Sequence, residues 1–500
     1  MFEKIKHFGR SSLDIAWAAL IILLPITSFP LLSRLAGHSM VAPASFIPLV
    51  WLIFFWFIFY LIKRGRVPRE IIPFLFFTSI VLVATASAFF LDTPPFKNEN
   101  VLHEVIRALG TLSVGAAFYL VTSSWLAQSR SRLGASLKWI NLSGLIMFLW
   151  AAIQGIYVYA YHGNYPLYAL KFQFFFSSGN VFPTRIMAFA FEPSWLGQQL
   201  DLFFLPYWFA STITGWSAFQ FRLWKFSAEN ILLGCGVVLI FLVSRIGTLS
   251  QLLVIAFLVI YLNVYLARRI RSWSIARFSK SHSIFQKMMR RLLPGLIVLG
   301  FLGIYVLGAF ALVWVLSHVD PRFAAFFEIQ TWAQFKSLTG NVYVLFNYLQ
   351  FAERYVYWVA GWNIFNTHPF LGVGLGNAGF YFQQALPAFS WHLPEVTQIL
   401  LRDVAIPNIK SLWVRLLAET GIMGFSSFIA WCYVVLRTTW VVRLNRQKVL
   451  QVIGWFGTFV LIAFTTEGFS TDTFALPYLW VSLGIVSAAG ALVRNSKEKA

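Results

Sequence analysis

Apolar residues in this chain gather into stretches long enough to cross a bilayer, separated by short segments that hold most of the charge. A spanning helix needs about 20 predominantly apolar residues. Twelve stretches meet that requirement: 13–33, 45–62, 71–91, 105–126, 138–160, 185–211, 229–244, 247–267, 293–316, 411–436, 449–466 and 473–493. The first follows Lys4, Lys6 and Arg10, as a signal peptide would. Its apolar core is too long and no small-residue cleavage site follows, so it reads as a retained helix. The expected fold is an all-α integral membrane protein of about twelve transmembrane helices. Three regions follow: residues 1–316 with the first nine spans, an extracytoplasmic loop at 317–410, and 411–500 with the last three spans and a tail.

Composition agrees with the pattern. The chain is 59% hydrophobic and 11% charged, against about 25% charged in soluble domains. With a mean hydropathy of +0.71, too few charges exist to cover a water-facing surface. Soluble enzymes, disordered chains and disulfide scaffolds are excluded. Cys235 and Cys432 lie inside apolar runs and read as small buried hydrophobes.

The net charge of +21 alone would suggest nucleic acid, but its placement says otherwise. With a cytoplasmic N-terminus, 27 of the 39 Lys and Arg fall in inner segments. Such a bias is the positive-inside rule. Both termini are then cytoplasmic, and the charge reflects topology and attraction to anionic lipid. The long outer loop carries Trp332, Trp358, Trp362 and Trp391, and a segment from Glu353 to Asn366 with helical spacing. Its aromatic faces suit the membrane interface.

Charged groups within spans or at the outer face need another account, because ionisable side chains are costly there and mark sites by default. They are Arg185, Glu192, Asp201, Arg245, Arg354, Lys410, Arg415, Glu419, Glu467 and Asp472. Arg185 and Glu192 are seven residues apart in the sixth stretch. In a helix they would share a face, with Glu192 about 10 Å deeper, and Pro193 would kink the helix beside the carboxylate. Arg245 occupies the corner Ser244-Arg245-Ile246-Gly247 between two spans, either snorkelling or facing an anionic ligand. Arg354 leads the amphipathic segment and Lys410 stands at the lip of the tenth span. Arg415 and Glu419 are four apart and could simply pair on one helix face.

Two motifs are set aside. Gly374-x-Gly376-x-x-Gly379 matches the dinucleotide fingerprint in letters only: no strand precedes it and it lies outside the cytoplasm. A glycine turn approaching a ligand or the membrane fits better. His368 is isolated, and Pro394 breaks the spacing from His392 to Glu395, so no metal site is expected. Clustered arginines recognise phosphate through bidentate hydrogen bonds, and a shielded carboxylate can act as general base. The ligand these residues suit is an anionic lipid-linked group, such as a polyprenyl diphosphate carrying sugar.

The order of these motifs resembles the O-antigen ligase and polymerase superfamily of membrane glycosyltransferases. The resemblance runs over roughly 185–425. It rests on Arg185 before Glu192-Pro193, on Ser244-Arg245-Ile246-Gly247, on Arg354 through Pro369, Gly372 and Gly374, and on Leu417-Ala418-Glu419-Thr420-Gly421. Ligase-like members usually carry a His-Asn pair nine residues before that glutamate, where this chain has Lys410-Ser411. The resemblance therefore implies a surface-polysaccharide polymerase ahead of a ligase to lipid A core; the rival from another class is a transporter or flippase of lipid-linked sugars. It implies a bacterial inner-membrane, metal-independent, inverting enzyme without cofactor that uses an undecaprenyl-diphosphate-linked glycan at the outer face. Glu192, Arg185 and Glu419 are the catalytic candidates, and Arg245, Arg354, Lys410 and Arg415 the diphosphate or glycan contacts. Membrane lipids, a chain-length regulator and a flippase are the implied partners, and nucleic acid is not.

Overall fold

The computed structural model describes residues 2–37, 40–278, 284–319, 336–337, 342–348, 351–402 and 406–498. Among these residues, seven helices are long and apolar enough to cross a membrane: Ile71–Ala88, Val101–Leu126, Arg130–Tyr159, Ile246–Trp273, Leu412–Arg443, Lys448–Glu467 and Pro477–Ser496. Shorter apolar helices lie at Ser11–Ile22, Phe46–Ile62, Ala228–Val243 and Gly295–Gly308. The protein is an all-α membrane protein, and these helices fall on eleven of the twelve expected stretches. Among the described residues, a two-residue antiparallel hairpin pairs Arg222–Leu223 with Phe226–Ser227.

Two stretches lose part of their helix to irregular backbone. The first helix ends at Ile22, ahead of Pro25, and a second begins at Pro30. Between them the backbone leaves its own helix and bonds Ala42: Phe29 donates to the Ala42 carbonyl at 2.8 Å and Ala42 donates to Thr27 at 3.0 Å. The expected 185–211 span is helical only from Pro193, as Pro193–Gln199, a π turn Leu200–Phe204, and Leu205–Thr214.

The chain forms two compact units, 1–250 with 357–500, and 251–356. The first is held by an aromatic core drawn from four helices. Phe74 meets Tyr119 at 5.1 Å, and Trp431 lies 5.1 Å from Tyr119 and 5.6 Å from Trp480. The Trp431 indole donates to the Tyr119 hydroxyl, which is 3.0 Å from Ser487. These buried ring polar groups thus find partners, as a water-free interior favours. The second unit holds most of Arg245–Phe278, all of Ile284–Val319 and the short helix Val342–Tyr348. Phe346 packs on Tyr355 there, with centroids 4.9 Å apart.

Candidate functional site

The segment from Arg185 to Glu192 is the largest correction to the sequence reading. Its apolar residues suggested the opening turns of a spanning helix, yet none of its residues is helical. Ile186 through Ala190 are buried as irregular backbone. Such backbone is tolerated at membrane depth only where protein satisfies its polar groups, and here it does. Gln154 accepts from the Met187 and Ala188 amides at 3.1 and 2.7 Å. Ser177 donates to the Ala190 carbonyl, and Thr27 accepts from Phe191. Ala188 adopts φ 48°. Arg185 and Glu192 therefore do not share a helix face, and Pro193 does not kink a helix. It starts one, with Glu192 the extended residue before it. Glu192 is half-buried and accepts from the Ser194 hydroxyl.

The helix that Glu192 precedes packs on the corner that carries Arg245. Ser244 is the single extended residue between helices Ala228–Val243 and Arg245–Phe278. Its hydroxyl accepts from the Gly247 amide at 3.2 Å. A Cβ on Gly197 would come within 2.6 Å of the Ser244 Cβ, and one on Gly247 within 2.9 Å of the Asp201 carboxylate. Two glycines thus permit the contact that brings the Ser-Arg-x-Gly corner beside the Glu192 helix. Asp201 is fully buried in the π turn.

A second motif pair also meets. Helix Leu412–Arg443 breaks at Gly421, whose φ of 61° and ψ of −168° are not helical. The broken turn receives the Pro369–Gly376 segment through four backbone bonds. Val373 donates to Ala418, Gly374 to Glu419, Ile422 to Pro369 and Met423 to Phe370, at 3.0, 2.9, 2.8 and 3.3 Å. Gly372 has φ 68°, and a Cβ there would strike backbone atoms of Ala418, Glu419 and Thr420 at 2.5–2.6 Å. The glycine turn does approach something closely, as expected, but that something is this protein's own helices. Leu375 completes the docking by donating to the Thr85 hydroxyl.

Glu419 and Arg415 pair as their spacing suggested, Nε to Oε2 at 2.9 Å, both nearly buried. Arg415 also donates to the Asp472 carbonyl at 2.5 Å, and the Gly376 amide faces the Glu419 carboxylate. Lys410, with φ 54°, pairs with Glu395 and stands 4.5 Å from the Tyr357 ring centre. The Tyr357 hydroxyl donates to Glu395 at 3.1 Å. Arg354 lies in the first turn of helix Ala352–Thr367 and is half-buried.

Sequence reading missed three buried carboxylates. Glu104 pairs with Arg107 at 2.9 Å beside the Gly376 approach. Glu70 makes a fork with Arg494, and Glu229 accepts from Asn141, Tyr207, Ser217 and Ala218. All three stand within a residue or so of a span boundary, where hydropathy assigns them to water. Among the described residues, Glu99, His103 and Glu104 bring metal-type atoms within 4.8 Å of one another. Glu104 is already paired with Arg107, so the group reads as an ion-pair cluster.

A helical protein of many membrane-length helices, with its charged and glycine motifs docked in pairs, is the class these observations define. Residues 231–429 match the family model described as O-antigen ligase. Over these residues the chain is similar to the O-antigen ligase family. Arg245, Arg354, Lys410, Arg415 and Glu419 fall inside the match, and Arg185 and Glu192 precede it. No curated protein matches the chain.

Proposed function

We propose that the protein is a polysaccharide polymerase-type glycosyltransferase at the outer face of the bacterial inner membrane. It moves a glycan from an undecaprenyl-diphosphate donor to a sugar hydroxyl. The supporting observation is that the Arg245 corner packs on the helix preceded by half-buried Glu192, through Gly197 against Ser244. An acceptor hydroxyl gives its proton to Glu192 and attacks the anomeric carbon. The bond to the diphosphate breaks, the lipid diphosphate leaves with the electron pair, and the anomeric centre inverts. Arg245 holds the diphosphate, since a planar guanidinium forks onto phosphate oxygens and stabilises departing charge. Glu419 is the poorer candidate base, being engaged by Arg415 at 2.9 Å.

Ligation to lipid A core is the second reading, favoured by the description of the matching family. Purified protein in vesicles, given a labelled lipid-linked repeat unit, separates the readings. Glycans of increasing length on lipid diphosphate are expected. Transfer to added lipid A core without lengthening makes it a ligase, and lipid crossing the bilayer without any new glycosidic bond makes it a flippase.

A further inference from the structure

Helix Arg130–Tyr159 ends in a cavity of about 510 Å³ that the motifs above do not use. Tyr157, Tyr161, Tyr165 and Tyr168 line it with Asn164 and the edges of Ile153 and Ile156. The Tyr157 ring lies 5.9 Å from Tyr161 and 5.1 Å from Tyr165, centre to centre, and its hydroxyl is 2.9 Å from that of Tyr168. The shape is set by a tight turn in which His162 and Gly163 have φ of 50° and 80° and Gly163 donates to the Tyr157 carbonyl. The Tyr165 hydroxyl is buried without a hydrogen-bond partner among the described residues.

We infer that this cavity binds one or two sugar residues of the acceptor glycan. A pyranose has an apolar face of slightly positive C–H groups, which suits the negative face of a tyrosine ring, and a rim of hydroxyls that donate and accept. Tyrosines offer both kinds of contact in one side chain. Single tyrosines at a membrane interface turn a hydroxyl to water; here four rings line one open-sided space, with Tyr161 and Tyr168 exposed to an incoming ligand. The volume lies within the usual range of small-molecule pockets, about 300–1,000 Å³.

The cavity is also tied to the proposed reaction. A Cβ on Gly163 would meet the Pro183 carbonyl at 2.5 Å, so the turn abuts the start of the Arg185–Glu192 segment. Gln154, one helical turn before Tyr157, holds Met187 and Ala188 of that segment. A glycan end held here would sit on the scaffold that carries the proposed base, which makes the cavity an acceptor subsite. This inference rests on the glycosyltransferase reading.

Full-length protein in nanodiscs, titrated with the oligosaccharide released by mild acid from the host's own surface polymer, tests it. The double variant Tyr157→Phe, Tyr168→Phe removes hydroxyls and keeps rings, and Tyr161→Ala removes a ring. Each should weaken binding by about tenfold, the scale of one lost contact, and raise KM for acceptor with kcat retained. Tyr433→Phe, on helix Leu412–Arg443, should bind as wild type. Unchanged affinity in the cavity variants overturns the subsite, even where transfer is normal. Loss of a copurifying phospholipid with sugar binding unaltered also overturns it, in favour of an interfacial lipid. Oligosaccharide binding that depends on these tyrosines, without glycan transfer, supports the subsite and removes the polymerase reading instead.

Discussion

Gly421 and Gly372 show how much of the site depends on one missing atom. Both have positive φ, and a Cβ on Gly421 would lie 2.2 Å from the Phe370 carbonyl oxygen. Such positive-φ backbone alone disfavours an L-residue by about 1–3 kcal/mol, and the clash adds displacement of two docked segments. Gly421→Ala and Gly372→Ala should therefore lose folded protein or activity strongly. Gly300→Ala, whose Cβ would meet nothing within 4 Å, should leave melting in detergent unchanged. Wild-type melting and activity in Gly421→Ala would refute the docking. For the carboxylates, Glu192→Gln should retain donor lipid and lose polymer formation by about 10²-fold or more, the scale of general-base loss. Full polymer from Glu192→Gln with Glu419→Gln inactive would transfer the base role to Glu419. The Arg415–Glu419 pair was legible because a spacing of four residues has one meaning on a helix. The Arg185–Glu192 geometry was not: hydropathy reports burial, and buried irregular backbone is as apolar as a helix. The punctuation was present in Ser177-Ser178-Gly179, Pro183 and Pro193.

At the scale of elements, length and hydropathy placed a helix on eleven of the twelve stretches, since lipid leaves the backbone few alternatives. Ends such as Ile22, Arg130 and Phe278 lie well away from the expected bounds. The helix Leu167–Phe176 was missed because ten residues are too few to register as a span. What joins the helices was equally hidden, because polar clamps couple residues hundreds of positions apart. Glu70, 2% exposed, receives a fork from Arg494 at 2.7 Å to each oxygen and a bond from Thr438 at 2.6 Å. It therefore ties the helices Ile71–Ala88, Leu412–Arg443 and Pro477–Glu498 together at one end. Removing one partner of a buried pair costs about 3–5 kcal/mol, and the 30% exposure of the Arg494 side chain places this case at the lower end. Arg494→Ala should lower thermal stability in detergent markedly, and Thr438→Val by only about 1 kcal/mol. Equal, small effects from both would mean that water already solvates Glu70.

For the whole molecule, charge asymmetry predicts which loops share a side, and the contacts of the larger unit test the grouping. Lys448 donates to the Thr214 carbonyl at 3.2 Å, and Arg494 to Glu70; all four positions lie in or beside segments assigned to the cytoplasm. Asn408 donates to Asp472 and Lys97 to Ile399, all four assigned outside, and Phe191 donates to Thr27, both in the outer halves of their expected spans. A contact between groups assigned to opposite sides would have to reach across about 30 Å of hydrocarbon, and each of these pairs joins residues of the same assignment. The absolute direction rests on the inner-loop Lys and Arg alone. It is tested with Cys235 and Cys432 replaced by Ser and single cysteines placed at His162, Arg222 and Asn445. In intact spheroplasts an impermeant maleimide should label position 162 at once, and positions 222 and 445 only after lysis. Labelling of 222 and 445 but not 162 would invert the protein, putting the tyrosine cavity and the Glu192 segment on the side where the outer-face reaction could not occur. Labelling of all three in intact cells would break the grouping itself, and with it the packing that brings the Arg245 corner beside the Glu192 helix.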